Sequence, residues 1–417
     1  MYRHLARKSY LLWQLLKSLP GQLLLSICSA FMFSKFFDLS TIRFFFTIST
    51  CLVESLLFIL PFMVFTFVFR ALLAIDGASR KFVLLILAGV TLSNCIALTT
   101  SFLLAETILP WLGIQYSSDF ADKFSSNIQP FLSLNLPVLI KTDKALLLGF
   151  SLGLGLGFLK LGNPIRNKCE RLARSFGHLI TVFLRNFFIP LVPLYVFGFC
   201  LKLAYEQALA HLLSHYSVAF LVTLCLIIGY VFAFYWVASG CSLKNTIKNL
   251  RIMFPAGLTG FSTMSSAATM PVTLICVEET TQDRNFTNLV IPSTVNIHML
   301  GDNLSIIMAS VTLLGIFGVP HPSVGQFCIF VAAYCFAKLS CVGLPGASVL
   351  VILPVLQQHL GFTPEMVSII TTIYILQDPF CTAANVMGNG ALALSLKKFF
   401  HQPSQTAESL KTVAQGD

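Results

Sequence analysis

Eight apolar runs, near residues 12–36, 44–70, 82–111, 144–160, 177–204, 216–240, 286–317 and 364–396, constrain this chain more than any motif in it. At 1.5 Å per helical residue each is long enough, 144–160 only marginally, to cross roughly 30 Å of hydrocarbon. A soluble domain carries about 25% charged residues. This chain has 11%, with 56% hydrophobic residues and a mean hydropathy of +0.81, so lipid rather than water is its solvent. The 39 phenylalanines agree, because Phe partitions readily into a bilayer. The net charge of +10 does not indicate nucleic acid, because the basic residues sit in short loops between apolar runs. Twelve cysteines are scattered through those runs without a CxxC pair, which reads as small buried hydrophobes. The apolar part of the first 33 residues is too long for a signal-peptide core and is read as a retained first helix.

Two further stretches, 245–283 and 324–362, are apolar but interrupted by Ser, Thr, Gly and Pro. The basic residues decide how they run. With the N-terminus (Arg3, Arg7, Lys8) in the cytoplasm, inside loops hold Arg70, Arg80 and Lys81, then Lys160, Arg166, Lys168, Arg171 and Arg174, then Lys244, Lys248 and Arg251, with Lys397 and Lys398 before the tail. That alternation holds only if each broken stretch enters and leaves on one side, the first from the cytoplasm and the second from outside. Non-helical backbone at membrane depth needs a protein or water-filled surround. Two hairpins from opposite faces beside interrupted helices indicate a secondary transporter with a site at the midplane. The glycine-rich "LLLGFSLGLGLGFLKLG" (146–162) lacks a preceding strand and a GKS/GKT, so it reads as close helix packing, not a phosphate loop. No P-loop, HExxH or nucleophile elbow is present, and the expectation is that the chain is not an enzyme and uses neither metal nor cofactor.

The polar residues inside the runs are the candidate site. The first hairpin's tip is "FSTMSSAATMPVT", where a helix N-terminus would welcome a carboxylate. The second is "KLSCVGLPGASV", in which Gly343, Pro345 and Gly346 break the helix. In "YILQDPFCTAANVMGNG" a mid-membrane charge costs at least ~2.5–3.5 kcal/mol, so Asp378 is expected to face a cavity and hold a cationic partner. The run 286–317 contains "HMLGD" (298–302), expected to be a helix break.

These stretches resemble the dicarboxylate/amino acid–cation symporters, which include the glutamate and neutral amino acid transporters. "FSTMSSAATMPVT" is similar to that family's serine-rich first hairpin, "GLPGAS" to its second tip and "DPFCTAANVMGN" to its last helix. The resemblance implies a glutamate-transporter-like, all-α membrane fold of eight transmembrane helices and two re-entrant helical hairpins. It implies scaffold helices in 1–70 and 144–210, a third helix and outer loop in 71–143, a mobile transport unit in 211–398 together with the third helix, and a polar tail in 399–417. A homotrimer in the plasma (inner) membrane, with both termini cytoplasmic, follows from the same likeness. By resemblance the substrate site draws on Ser265, Ser266, Leu344, Gly346, Asp378, Cys381, Thr382, Asn385 and Asp302. Ser266 and Asn385 would meet an α-carboxylate, Asp378 an α-ammonium, Thr382 the substrate backbone, and Leu344 would offer backbone groups.

The departures are as informative. The family usually has Asn-Met-Asp-Gly-Thr where this chain has "HMLGD": Met299 and Gly301 match, whereas His298, Leu300 and Asp302 do not. Acidic-substrate members carry an arginine where this chain has Met264 or Cys381, so a dicarboxylate would lack its guanidinium partner. Two carboxylates of the family's sodium sites are lost at Leu300 and Asn389. Lys338 stands where hairpin carbonyls would hold another sodium ion; either its ammonium replaces the ion or it snorkels to the outer interface. His298 either carries a coupling proton or is a neutral, hydrogen-bonded imidazole, and Asp302 either reads the substrate or compensates Lys338 or His298. Coupling therefore draws on His298, Met299, Asp302, Lys338 and Asn389, with H+ favoured over Na+. The expectation is alternating-access transport of a small, neutral amino acid, proton-coupled or by exchange. The alternatives are a sodium- or proton-coupled glutamate/aspartate symporter and, in another class, a substrate-gated channel or a transporter-like sensor.

Overall fold

The structure, a computed structural model, describes residues 19–73, 80–112, 128–134, 136–137, 139–140, 142–157, 164–206, 208–339, 341 and 346–399. The expectations for Arg3, Arg7, Lys8, Lys160, Gly343, Leu344 and Pro345, for most of the outer loop near 112–141 and for the tail beyond 399 fall outside these residues. Among the described residues the secondary structure is helical throughout, and the chain is a membrane-embedded, all-α protein of the expected fold class.

The first half comprises α1 (Leu19–Phe33), α2 (Leu39–Leu73), α3 (Arg80–Trp111), α4 (Thr142–Gly157) and α5 (Pro164–Phe183). A π-helical turn, Leu184–Phe188, then joins α5 to α6 (Ile189–Tyr205), and α7 (Ala208–Ala238) follows. Backbones approach closely where a side chain is missing. A Cβ at Gly149 of α4 would meet the Phe65 carbonyl oxygen of α2 at 2.8 Å, and one at Gly198 of α6 would meet the Phe45 carbonyl at 2.3 Å. The glycine-rich α4 is thus a packing helix.

The second half begins with the first hairpin, α8 (Leu243–Thr263) and α9 (Ser266–Thr281). Its tip is made by Met264, in the left-handed region at φ 51°, and by Ser265, whose hydroxyl accepts from Ala268 N at 3.2 Å and so caps α9. Asp283 caps α10 (Arg284–Thr294), and after an irregular turn α11 (Leu300–Ile316) begins. The second hairpin pairs α12 (Val324–Lys338), started by a Ser323/Gln326 capping box, with α13 (Ala347–Leu360). Its α13 starts at Gly346, whose φ of +70° suits a residue without Cβ. The last helix, α14 (Pro364–Lys397), is capped by Thr363 with Pro at the first helical position.

Two differences from the sequence reading have physical reasons. The break ends at Met299, so Gly301 and Asp302 already belong to the first turn of α11. The Asn385 side-chain carbonyl takes their backbone N–H groups, at 2.8 and 3.3 Å, and caps that turn from another helix. The helix that carries the crossing expected at 177–204 begins earlier, because residues 164–176, read as a basic loop, are helical and amphipathic. By length and composition, four described helices can cross a bilayer: Leu85–Trp111, Pro164–Tyr205, Tyr216–Ala238 and Pro364–Lys397. The remaining expected crossings are interrupted by the break or described only in part.

Candidate functional site

The polar interior gathers where the break before α11, the end of α12, the start of α13 and the middle of α14 meet. Gly301 makes the meeting possible: a Cβ there would lie 2.3 Å from the Cys381 carbonyl oxygen and 2.8 Å from the Ala384 Cβ of α14. The two helices touch through bare backbone, which brings the first turn of α11 to the polar face of α14.

Lys338, the last residue of α12, is fully buried and does not snorkel. Its Nζ donates to Asp302 Oδ2 at 3.1 Å, in an ion pair whose side chains are 0% and 1% exposed. It also donates to Ser348 Oγ at 3.2 Å and to Met299 Sδ at 3.8 Å. Asp302 takes a further hydrogen bond from Asn385 Nδ2 at 2.8 Å, so one ion pair ties the break, the second hairpin and α14 together. Of the partners open to Asp302, the structure selects Lys338 and leaves His298 aside.

Asp378 differs from expectation. It is buried, but its carboxylate is held by neutral donors, Gly346 N at 2.7 Å and Thr382 Oγ1 at 2.9 Å. Among the described residues no cation is in ion-pair contact with it; Lys338 is committed to Asp302. The reason is geometric, since the hairpin's start directs a backbone N–H at Asp378 while the end of α12 directs the ammonium at Asp302.

His298 lies behind this pair, fully buried, with Nε2 sharing a 2.9 Å hydrogen bond with Ser93 Oγ of α3. Its Nδ1, like Asn389 Oδ1, lacks a partner in hydrogen-bond geometry. Asn389 Nδ2 donates to the His298 and Asn385 carbonyls, at 3.2 and 2.9 Å. Ser265 and Ser266 are buried at the first tip. One helical turn before that tip, α8 packs on α14 at Gly260, where a Cβ would lie 3.2 Å from the Thr382 carbonyl. Cys381 is buried with its backbone on Gly301.

Several contributors went unnoticed in the sequence. Ser348 links Lys338 to Met299, to whose sulfur it donates at 2.8 Å. Asn94 donates to the Ile297 carbonyl at 3.0 Å and accepts from Asn303 Nδ2 at 2.8 Å, so α3 braces the break. Ser305 donates to the Gln377 side-chain carbonyl. Ser93-Asn94 in the middle of an apolar run was the available signal, because two adjacent polar residues at membrane depth need partners.

This meeting of two helical hairpins, a broken helix and a polar last helix extends over nearly the whole second half, and residues 19–399 match the sodium:dicarboxylate symporter family. The chain belongs to that family. Within the family, it is similar to an excitatory amino acid transporter of Onchocerca volvulus, 34% identical over 147 residues that cover 35% of this chain and 30% of that protein. It is 26% identical over 253 residues to the human excitatory amino acid transporter 2, covering 58% of this chain and 42% of the relative. To the human excitatory amino acid transporter 5 it is 25% identical over 269 residues, covering 63% and 47%. The matched stretch spans less than half the length of each of these relatives.

Proposed function

We propose that this symporter-family member is a secondary transporter of a small neutral amino acid that works without sodium, coupled to protons or by exchange. The observation that carries the reading is the buried ion pair. With Lys338 spent on Asp302, the remaining formal charge in the site is the carboxylate of Asp378, held only by neutral donors. A buried carboxylate in that setting calls for a cation, and the α-ammonium of an amino acid supplies one. The α-carboxylate then lies toward Ser266 and the N-terminal turn of α9, and toward Asn385. A second carboxylate on the substrate would enter a site of net negative charge with no guanidinium to receive it, which favours a zwitterion.

The ion-coupling residues support the second half of the proposal. Leu300 and Asn389 offer no charged oxygen, and Asp302, the carboxylate at the break, is already neutralised by Lys338. Ser93 Oγ holds His298 through Nε2, while Nδ1 has no partner in hydrogen-bond geometry. An imidazole held at one nitrogen and unbonded at the other is the group to which this reading assigns the coupling proton. Alternating access by movement of 211–398 with the third helix against scaffold segments, and a homotrimer, belong to the same proposal. The second reading, transport of an acidic amino acid, draws on the names of the relatives.

The test is uptake of radiolabelled neutral, acidic and basic amino acids into proteoliposomes, in sodium or choline, with and without an inward proton gradient. Choline-tolerant uptake of a neutral amino acid is expected. Sodium-dependent uptake of glutamate or aspartate would overturn both substrate and coupling. Ion flux without substrate would indicate a channel, and binding without flux a sensor.

A further inference from the structure

The helix α5 divides its surface into three sectors. At 100° per residue, Arg166, Ala173, Gly177 and Ile180 occupy an arc of about 60° and are buried against the protein. Ile165, Leu172, Phe176 and Leu179 fall within a second arc of about 60°, and all four are exposed, at 61%, 63%, 44% and 61%. Lys168, Arg171 and Arg174 fill the third sector, also exposed. One flank of the apolar stripe is therefore packed and the other is cationic, the division expected of a helix lying in a membrane interface.

Length supports the placement. The continuous helical stretch Pro164–Tyr205 has 42 residues, which is about 63 Å of helix against roughly 30 Å of hydrocarbon. About half must lie outside the hydrocarbon, and α5 is the half with a polar face. The π-turn Leu184–Phe188, followed by Pro190 and Pro193, marks where the amphipathic segment gives way to the apolar one.

A second element adds charge at the same place. Arg70, in the last turn of α2, lies over Gly177 of α5, where a Cβ would stand 2.6 Å from its Nη1. It is within electrostatic reach of Arg174, so two guanidiniums share one flank. Glu170 is the sole acid on α5, and it is engaged by Arg174. Arg70, Lys168, Arg171 and Arg174 thus face a single carboxylate, and the excess is positive.

We propose that this face of α5 is a docking surface for anionic phospholipid, with the phosphodiester headgroup against Lys168, Arg171 and the Arg70–Arg174 flank and an acyl chain along Leu172, Phe176 and Leu179. Charge complementarity selects that occupant. A second copy of the chain seated here would have to bring an acidic face to α5, whereas basic face on basic face repels. The surface is independent of the substrate site, and its test does not use uptake.

The full chain is reconstituted in phosphatidylcholine vesicles containing spin-labelled phosphatidylglycerol or spin-labelled phosphatidylcholine, and the motionally restricted fraction of each is read by electron paramagnetic resonance. Preference for phosphatidylglycerol is expected, falling by roughly fivefold for each charge removed in Lys168→Gln and Arg171→Gln, variants that leave the Glu170–Arg174 pair intact. Half-molar salt should weaken the wild-type preference in the same direction, because exposed charges are screened. Equal restriction of both lipids, or a preference unchanged in the double variant, overturns the proposal. So does efficient disulfide cross-linking between copies carrying Leu172→Cys or Leu179→Cys, which would make the stripe a contact between protomers. Circular dichroism of each variant separates lost binding from lost folding.

Discussion

The segments α1–α6 and α8–α14 draw on the same apolar residues and use burial in opposite ways. In the first group the interior is mostly hydrocarbon, with phenylalanine rings edge-to-face between α2 and α6 at Phe45–Phe197 and stacked along α2 at Phe65–Phe69, and with Arg166 and Lys202 as its buried charged side chains. Polar side chains there mostly return to a backbone carbonyl, as Ser49 does to Tyr195 O at 2.8 Å. In the second group α11 is buried over its whole length, and it carries Asp302, Asn303, Ser305, Ser310 and Thr312. The most apolar window of α14 is 83% buried, whereas that of α7 is 22%. A helix enclosed by protein can carry charge and amide groups because neighbours supply their partners, and a helix facing lipid cannot. The buried carboxylates Asp302 and Asp378 and the buried Lys338 therefore lie together where enclosure is greatest, which is the condition for a binding site at membrane depth.

Substitutions in both regions would break or sharpen that contrast. Asp378→Asn should have the largest effect: losing the carboxylate that receives the ammonium should reduce neutral amino acid uptake by about 100-fold or more, with the protein still folded. Lys338→Met should lower stability by about 3–5 kcal/mol, because Asp302 is left buried and unpaired. The double variant Lys338→Met/Asp302→Leu should recover most of that loss, a coupling that thermal unfolding in detergent can measure. Should the single and double variants unfold alike, the ion pair would not be what joins the second hairpin to the break.

Close approach can be compared between the two regions. Gly301→Ala, against the Cys381 backbone, and Gly149→Ala, against the Phe65 backbone, should each cost about 1–3 kcal/mol in unfolding measurements. Only Gly301→Ala should also impair substrate binding. Gly155→Ala, with open space around it, serves as the control. Gly346→Ala puts a Cβ on a backbone at φ +70° and should cost about 1–2 kcal/mol. It should also displace the N–H given to Asp378, which a rise in substrate KM would report.

The smallest effect lies at the membrane edge. Lys397 donates to Asp283, and that hydrogen bond holds the Asp283 carboxyl below its ordinary value. A depressed carboxyl stabilises the fold above its unfolded-state value and loses that contribution as pH falls through the lower, folded one. Lys397→Gln should therefore flatten the acid limb of a stability–pH curve below about pH 4, by at most ~1 kcal/mol.

Much of this was legible in residue order. The apolar runs, the two broken stretches and the capping residues Ser265, Asp283, Ser323 and Thr363 fix helices and their starts through local chemistry, which needs no distant partner. The polar interruptions likewise announced a site, since each is costly in lipid unless satisfied. Local pattern missed the helical state of 164–176, because its basic residues resemble a loop until Ile165, Leu172, Phe176 and Leu179 are seen on one face. It also put the break too late, because the group that caps α11, Asn385, lies 84 positions from Gly301.

What the sequence determined alone is the solvent, the helical class and the list of groups that had to be partnered. What the tertiary structure decided is the pairing. Asp302 and Asp378 are equivalent as letters in an apolar run, and either could have taken Lys338. The backbone contact at Gly301 and the left-handed start of α13 at Gly346 place the ammonium against one carboxylate and a peptide N–H against the other. Coulombic and hydrogen-bond energies depend on separations of a few ångströms, and those separations are set by how helices far apart in the chain come into contact.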